Sequence, residues 1–149
     1  MFWNNLFKKK NKKENTAELI ESGNVKAVVL SDLGNIRTNN EDVGMFYRID
    51  EEEVAREKGY LLIVADGMGG HKAGEVASKM ATEIISQEYF KKNGNGSIEK
   101  NLFKAFSTAN KKIYDLASSQ KAYHGMGTTC SALVVTGDIV YYAPVGDSP

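Results

Sequence analysis

Residues 60–74 read Tyr-Leu-Leu-Ile-Val-Ala-Asp-Gly-Met-Gly-Gly-His-Lys-Ala-Gly, and no other stretch constrains the fold as much. Tyr60 to Ala65 is apolar without a break, the pattern of a strand buried on both faces. That strand ends on the carboxylate of Asp66. A glycine-rich turn then leads through His71 into a helix, where Val76, Met80, Ile84 and Ile85 form one apolar stripe between about Gly74 and Phe90. A phosphate-cradling loop is one reading of such a turn, and the residues reject it. No Gly-Lys-Ser/Thr follows at P-loop spacing, and the third glycine of a dinucleotide fingerprint is missing. Asp66 would also repel a pyrophosphate. A carboxylate at the mouth of a strand suits a cation better; the alternative is a capping aspartate before a glycine turn.

The other elements follow from spacing. Residues 8–23 are polar and read as a linker, Val25 to Leu30 as a strand, and Val43 to Ile49 as a second strand. The charged run from Asp50 to Lys58 reads as the solvated link of a hairpin. Asn93-Gly94-Asn95-Gly96 breaks the first helix, and Ser97 is the expected N-cap of the next, with Glu99 in its first turn. Ile98, Leu102, Ala105, Phe106, Ala109, Ile113, Leu116 and Ala117 then hold helical spacing for five turns. After a break at Gly125 to Gly127, Thr128 to Val135 and Ile139 to Val145 read as strands paired around Thr136-Gly137-Asp138. Strands, two long helices and more strands predict an α+β layered domain, not alternating βαβ units.

Composition narrows the class of partner. Nineteen basic and nineteen acidic residues sum to zero, which excludes bulk attraction to nucleic acid. The zero conceals an asymmetry: Lys8, Lys9, Lys10, Lys12 and Lys13 stand in a stretch with no acid, and residues 14–149 carry a net charge of −5. The division expected is a basic flexible leader over 1–23 and a folded body over 24–149. Aromatics followed by lysines would suit an anionic membrane surface, but so short a leader buries little apolar area, and a solvated tail is the preferred reading. The single cysteine, Cys130, excludes an internal disulfide; it sits in an apolar strand pattern as a small hydrophobe. No apolar run is long enough to span a bilayer, and the leader reverses the order of a signal peptide. A cytoplasmic location is expected.

A second cluster, Arg37-Thr38-Asn39-Asn40-Glu41-Asp42, precedes the strand at Val43. Adjacent acids in extended chain point to opposite faces, so one can face a site while the other turns away. Arg37 offers a planar fork suited to phosphate or carboxylate. By itself the cluster reads as a solvated charged turn. With Asp66 and His71 it supplies hard oxygen ligands, a guanidinium and a titratable imidazole, the parts of metal-assisted phosphoryl hydrolysis.

These residues resemble the bacterial form of the PPM-type, or type 2C, metal-dependent protein serine/threonine phosphatases. The matching pieces are Gly34-x-x-Arg37-x-x-Asn40-Glu41-Asp42; Asp66-Gly67-Met68-Gly69-Gly70-His71 with Gly74 and Glu75; Gly127-Thr128-Thr129; and Val145-Gly146-Asp147-Ser148. They run in order from about Val25 to Ser148. The resemblance implies a four-layer α-β-β-α sandwich of two antiparallel sheets, of which the amino-terminal part is present. It also implies hydrolysis of phosphoserine and phosphothreonine in proteins, with two Mg²⁺ or Mn²⁺ ions activating a water for in-line attack on phosphorus. Asp66 would bridge the two ions and the Gly67 carbonyl would complete one shell. Glu41 and Asp42 would hold or orient the coordinated water. Arg37 would grip the phosphate, His71 would protonate the departing oxygen, and Asp147 would help hold a third, weaker metal. Partners would be phosphorylated proteins, the products of a serine/threonine kinase.

Two departures from the family pattern qualify that expectation. Pro149 stands where the family motif continues with arginine, and the family's later metal-binding aspartates are not in this sequence. Pro144 also occupies a strand position, where it removes a ladder hydrogen bond. The alternative function is therefore a fragment or pseudophosphatase that binds phosphoproteins through Arg37, or regulates a partner, without turnover. His124 matches no motif and reads as a surface or helix-end residue.

Overall fold

The structure, a computed structural model, describes residues 16–22, 25–69, 72–91 and 96–148. Its strands are β1 (Thr16–Ser22), β2 (Val25–Ser31), β3 (Asp42–Tyr47), β4 (Tyr60–Met68), β5 (Gly127–Thr128), β6 (Cys130–Thr136) and β7 (Ile139–Val145). The helices are α1 (Glu52–Lys58), α2 (Lys72–Tyr89) and α3 (Ile98–Ser119). One antiparallel sheet runs in the order β3-β4-β6-β7, with β5 pairing the end of β4; β1 and β2 form a separate antiparallel pair. The α+β class expected from the sequence is the one observed.

The core lies between the larger sheet and the helices. Leu61, Ile63 and Ala65 of β4 and Ala132 and Val134 of β6 are at most 1% exposed, each large side chain contributing about 1.5–3 kcal/mol through burial. Facing them, α2 buries Ala73, Ala77, Ala81, Ile84 and Ile85, and α3 packs on α2 through Leu102, Ala105, Ala109 and Ile113. Spacing predicts Val76 and Met80 as the heart of the α2 stripe, but those two are only half-buried. Small residues occupy the inner face instead, which brings the helix axis close to the sheet. Ser78, Thr82 and Ser86 are buried beside them, and their hydroxyls donate to carbonyls three or four residues back in the same helix.

Three local expectations need correction. The linker read over 8–23 is a strand from Thr16 onward: β1 pairs with β2 in a register that sets Ser22 opposite Val25, and the strand shows in that pairing rather than in its own spacing. The basic leader over residues 1–15 lies outside the described residues. The link from Asp50 to Lys58 contains α1, and Lys58 is buried rather than solvated. Its ammonium donates to the carbonyls of Tyr89 and Lys91, while the Tyr89 hydroxyl donates to the Lys58 carbonyl at 2.7 Å. No basic residue stands in the last turn of α2, so Lys58 supplies from another element the positive charge favoured at that helix end. Burial lowers the Lys58 pKa from its ordinary value and pushes the Tyr89 phenol well above its usual range. Finally, β4 is buried on one face only: Val64 is 58% exposed between buried Ile63 and Ala65.

Elsewhere the spacing reads correctly. The Ser97 hydroxyl accepts from the Lys100 amide as the N-cap of α3, and β6 and β7 turn at Gly137-Asp138. Pro144 lies on β7, which is at one end of the sheet among the described residues, where a missing donor is tolerated. Cys130 is buried, and burial pushes its thiol up to about 12.

Candidate active site

The antiparallel register of β3 and β4 sets Asp42 directly opposite Asp66. Opposite residues share a face, so two carboxylates separated by 24 positions in sequence meet at the end of the sheet. They lie within hydrogen-bonding reach of each other. Asp42 is pushed above the ordinary carboxylate range, first by partial loss of water around it and then by the negative Asp66, while Arg37 pulls the other way. Asn40 fixes the entry to β3: its side-chain oxygen accepts from the Asp42 amide at 3.0 Å, and its amide donates to the Ser31 hydroxyl.

Glu41 and Asp42 do turn to different sides. Asp42 faces Asp66, whereas the Glu41 carboxylate lies over the start of α2, so close that a β-carbon on Gly74 would come within 2.2 Å of its Oε2. A negative group at that helix end is favoured by the backbone dipoles. The Gly67 amide donates to the Glu41 carbonyl at 3.1 Å. Gly67 and Gly74 meet backbone to backbone, since a β-carbon on Gly67 would stand 2.2 Å from the Gly74 carbonyl oxygen. The two glycines of the motif are thus required by close approach of strand and helix.

A cleft of about 580 Å³ opens over this end of the sheet, lined by Arg37, Thr38, Glu41, Asp66, Gly67 and Met68 among others. Arg37 is exposed on its rim. Asp147 is exposed on the turn after β7 and is linked to the rest through its neighbour, because the Ser148 hydroxyl hydrogen-bonds that of Thr129 at 2.7 Å. His71 lies outside the described residues. Among the described residues, no three acidic, histidine or cysteine side chains converge as a complete metal-holding group. The donor set present is nevertheless of the right kind for a hard divalent cation: two carboxylates paired across the strands, whose mutual repulsion a cation would relieve, with Glu41 lining the same cleft as Asp66.

Comparison with known proteins decides the lineage. The family model described as protein phosphatase 2C matches residues 49–149. The chain belongs to the protein phosphatase 2C family. A putative protein phosphatase 2C-type from Streptococcus pyogenes is 36% identical over 126 residues, covering 83% of this chain and 48% of its own length. The serine/threonine phosphatase Stp of Listeria innocua is 39% identical over 121 residues, with 79% and 46% covered. Among solved structures, the serine/threonine phosphatase Stp1 of Staphylococcus aureus superposes with a TM-score of 0.67 at 32% identity, covering 91% of this chain and 48% of that one. The chain spans about half the length of the curated relatives it matches. The α+β fold, with antiparallel sheet and flanking helices, is that of the amino-terminal part of such phosphatases.

Of the residues singled out in the sequence, Arg37, Glu41 and Asp66 line one cleft, and Asp42 reaches it only as the cross-strand neighbour of Asp66. Sequence reasoning misses what fixes Asp66 in place. Thr128 and Thr129 are visible as a motif, but the bonds of their hydroxyls to Asp66 are not, because Asp66 lies more than 60 positions away.

Proposed function

We propose that this chain serves in metal-dependent hydrolysis of phosphoserine and phosphothreonine in proteins. The observation that carries the reading is the Asp42–Asp66 pair set by strand register under a cleft with Arg37 on its rim. A volume of this size accommodates a phosphorylated side chain with its flanking backbone. The Arg37 guanidinium would bind two oxygens of the phosphate and orient it. Asp66, Asp42, Glu41 and the Gly67 carbonyl would hold two Mg²⁺ or Mn²⁺ ions, with Asp147 at a third, weaker position. When bound, such ions supply water activation near neutral pH and neutralise charge on the phosphate. His71 would donate the proton that the departing serine or threonine oxygen needs, since imidazole titrates near the working pH. Substrates would be proteins phosphorylated by a serine/threonine kinase, met in the cytoplasm. Among the described residues no helix is long and apolar enough to cross a membrane.

The test is phosphate release from a phosphothreonine peptide in Mn²⁺, compared between wild type and Arg37→Ala. Loss of a charged, two-pronged contact predicts a rise in KM of about tenfold or more. Release at an unchanged KM in the variant removes Arg37 from the phosphate site. Peptide binding that persists in chelator, needs Arg37 and gives no release with metal would support the phosphoprotein-binding alternative instead.

A further inference from the structure

The larger sheet carries one transverse row of residues in which the strand pairing changes character at a single position. β4 pairs with β6 as far as Val64 opposite Ser131, and with β5 from Gly67 opposite Thr128. The same register places Thr129, between β5 and β6, opposite Asp66. A regular antiparallel pair would exchange two amide-to-carbonyl bonds. Here only one is made: the Thr129 amide donates to the Asp66 carbonyl at 2.9 Å. The return bond is replaced, because the Asp66 amide donates at 3.3 Å to the Thr129 side-chain Oγ1. The Thr128 hydroxyl lies within hydrogen-bonding distance of both the Thr129 and the Asp66 carbonyls, between which its single proton is shared.

The Thr129 hydroxyl has a second partner, the Ser148 hydroxyl at 2.7 Å, and Ser131 donates to the Ser148 carbonyl at 3.1 Å. Continuing the β6–β7 register puts Thr129 opposite Gly146. The two are packed so closely that a β-carbon on Gly146 would stand 2.9 Å from the Thr129 methyl. Thr129 therefore occupies the seat between Asp66 on one strand and the Gly146–Ser148 turn, with Asp147, on the next.

We infer that Thr129 is a positioning residue whose side-chain hydroxyl, bonded to the Asp66 amide and to Ser148, registers Asp66 and the Asp147 turn for binding of divalent cations. This rests on the phosphatase reading above. The Thr129 hydroxyl oxygen accepts from the Asp66 amide and also pairs with the Ser148 hydroxyl, so a single group spans two strands. Outer partners of this kind typically change metal affinity by about 10–100-fold when removed.

The experiment is titration of the full chain with Mn²⁺ alone, following free Mn²⁺ by electron paramagnetic resonance, with thermal unfolding of each variant measured in parallel. Thr129→Val keeps the shape and removes the hydroxyl; it should weaken Mn²⁺ binding about tenfold or more. Thr129→Ser should restore binding to near the wild-type value, a rescue that loss of packing alone would not give. Ser148→Ala leaves Thr129 in place and should weaken binding by a smaller factor; it decides the matter if Thr129→Val fails to fold. Asp66→Asn is the control for the site. Wild-type Mn²⁺ affinity in a folded Thr129→Val, or in Ser148→Ala should Thr129→Val not fold, overturns the inference while the phosphatase reading stands. Wild type that binds no Mn²⁺, or Asp66→Asn that binds as wild type does, overturns both.

Discussion

Strand β4 turns Leu61, Ile63 and Ala65 toward the helices, where none exceeds 1% exposure, and turns Val64 and Asp66 to the opposite face, where Val64 is 58% exposed. The neighbouring strands repeat the contrast: Ala132 and Val134 are buried while Leu133, between them, is 36% exposed, and Tyr142 opposite Leu133 is 53% exposed. One face of the sheet holds the fold together, and the other carries Asp42 and Asp66. The division matters because two carboxylates paired across the strands are costly to place together. Their cost is met on the helix side, by burial that does not involve them, so the site can be tuned without dismantling the core.

Substitutions can break this contrast in a definite order. Ile63→Ala should destabilise the protein by about 2–5 kcal/mol through lost burial and a cavity against α2. Val64→Ala, one residue away on the other face, should cost well under half as much; denaturant unfolding of the pair measures both. Equal losses would mean that the exposed face is packed in solution. Lys58→Met should cost about 1.5–3 kcal/mol, since it removes charged hydrogen bonds to the Tyr89 and Lys91 carbonyls and leaves the end of α2 uncapped. The smallest effect expected is on thiol chemistry. Cys130 faces the helices, and burial pushes it up to about 12, so a thiol reagent at pH 8 should label it only after unfolding. Rapid labelling of the native protein would show that the helix side opens readily.

The periodic segments are legible in the amino-acid sequence alone. Five turns of α3 with a serine cap, the β6–β7 hairpin and the strand-carboxylate-glycine-helix run at Tyr60 to Gly74 can each be read from local spacing, because each is decided by neighbours in sequence. The failures share the opposite cause. Thr16 to Ser22 carries four polar residues among seven, and its strand shows in the pairing with β2 rather than in its own spacing. The run from Glu52 to Lys58 looks like a solvated link until Lys58 is seen to reach the end of α2, 31 positions on. The apolar run at Tyr60 to Ala65 does not reveal that helices cover one of its faces and not the other.

The site divides in the same way. Arg37, Glu41, Asp42 and Asp66 are legible as residue types suited to metal and phosphate, and as pieces of a family pattern. That Asp42 faces Asp66 while Glu41 turns to Gly74 depends on strand register and helix approach, which are not local properties. Thr129 is the extreme case. Its hydroxyl substitutes for a backbone carbonyl, an exchange that no periodicity records.

The most direct measurement of the central claim is phosphate release from a phosphothreonine peptide by wild type and Asp66→Asn, with melting temperature recorded on the same samples. Wild type should release phosphate only when Mn²⁺ or Mg²⁺ is present. Asp66→Asn should lose that release while melting at or slightly above the wild-type temperature, since it relieves repulsion on a face that does not carry the core. Release by Asp66→Asn at the wild-type rate, or wild-type release that survives chelation, would contradict the account.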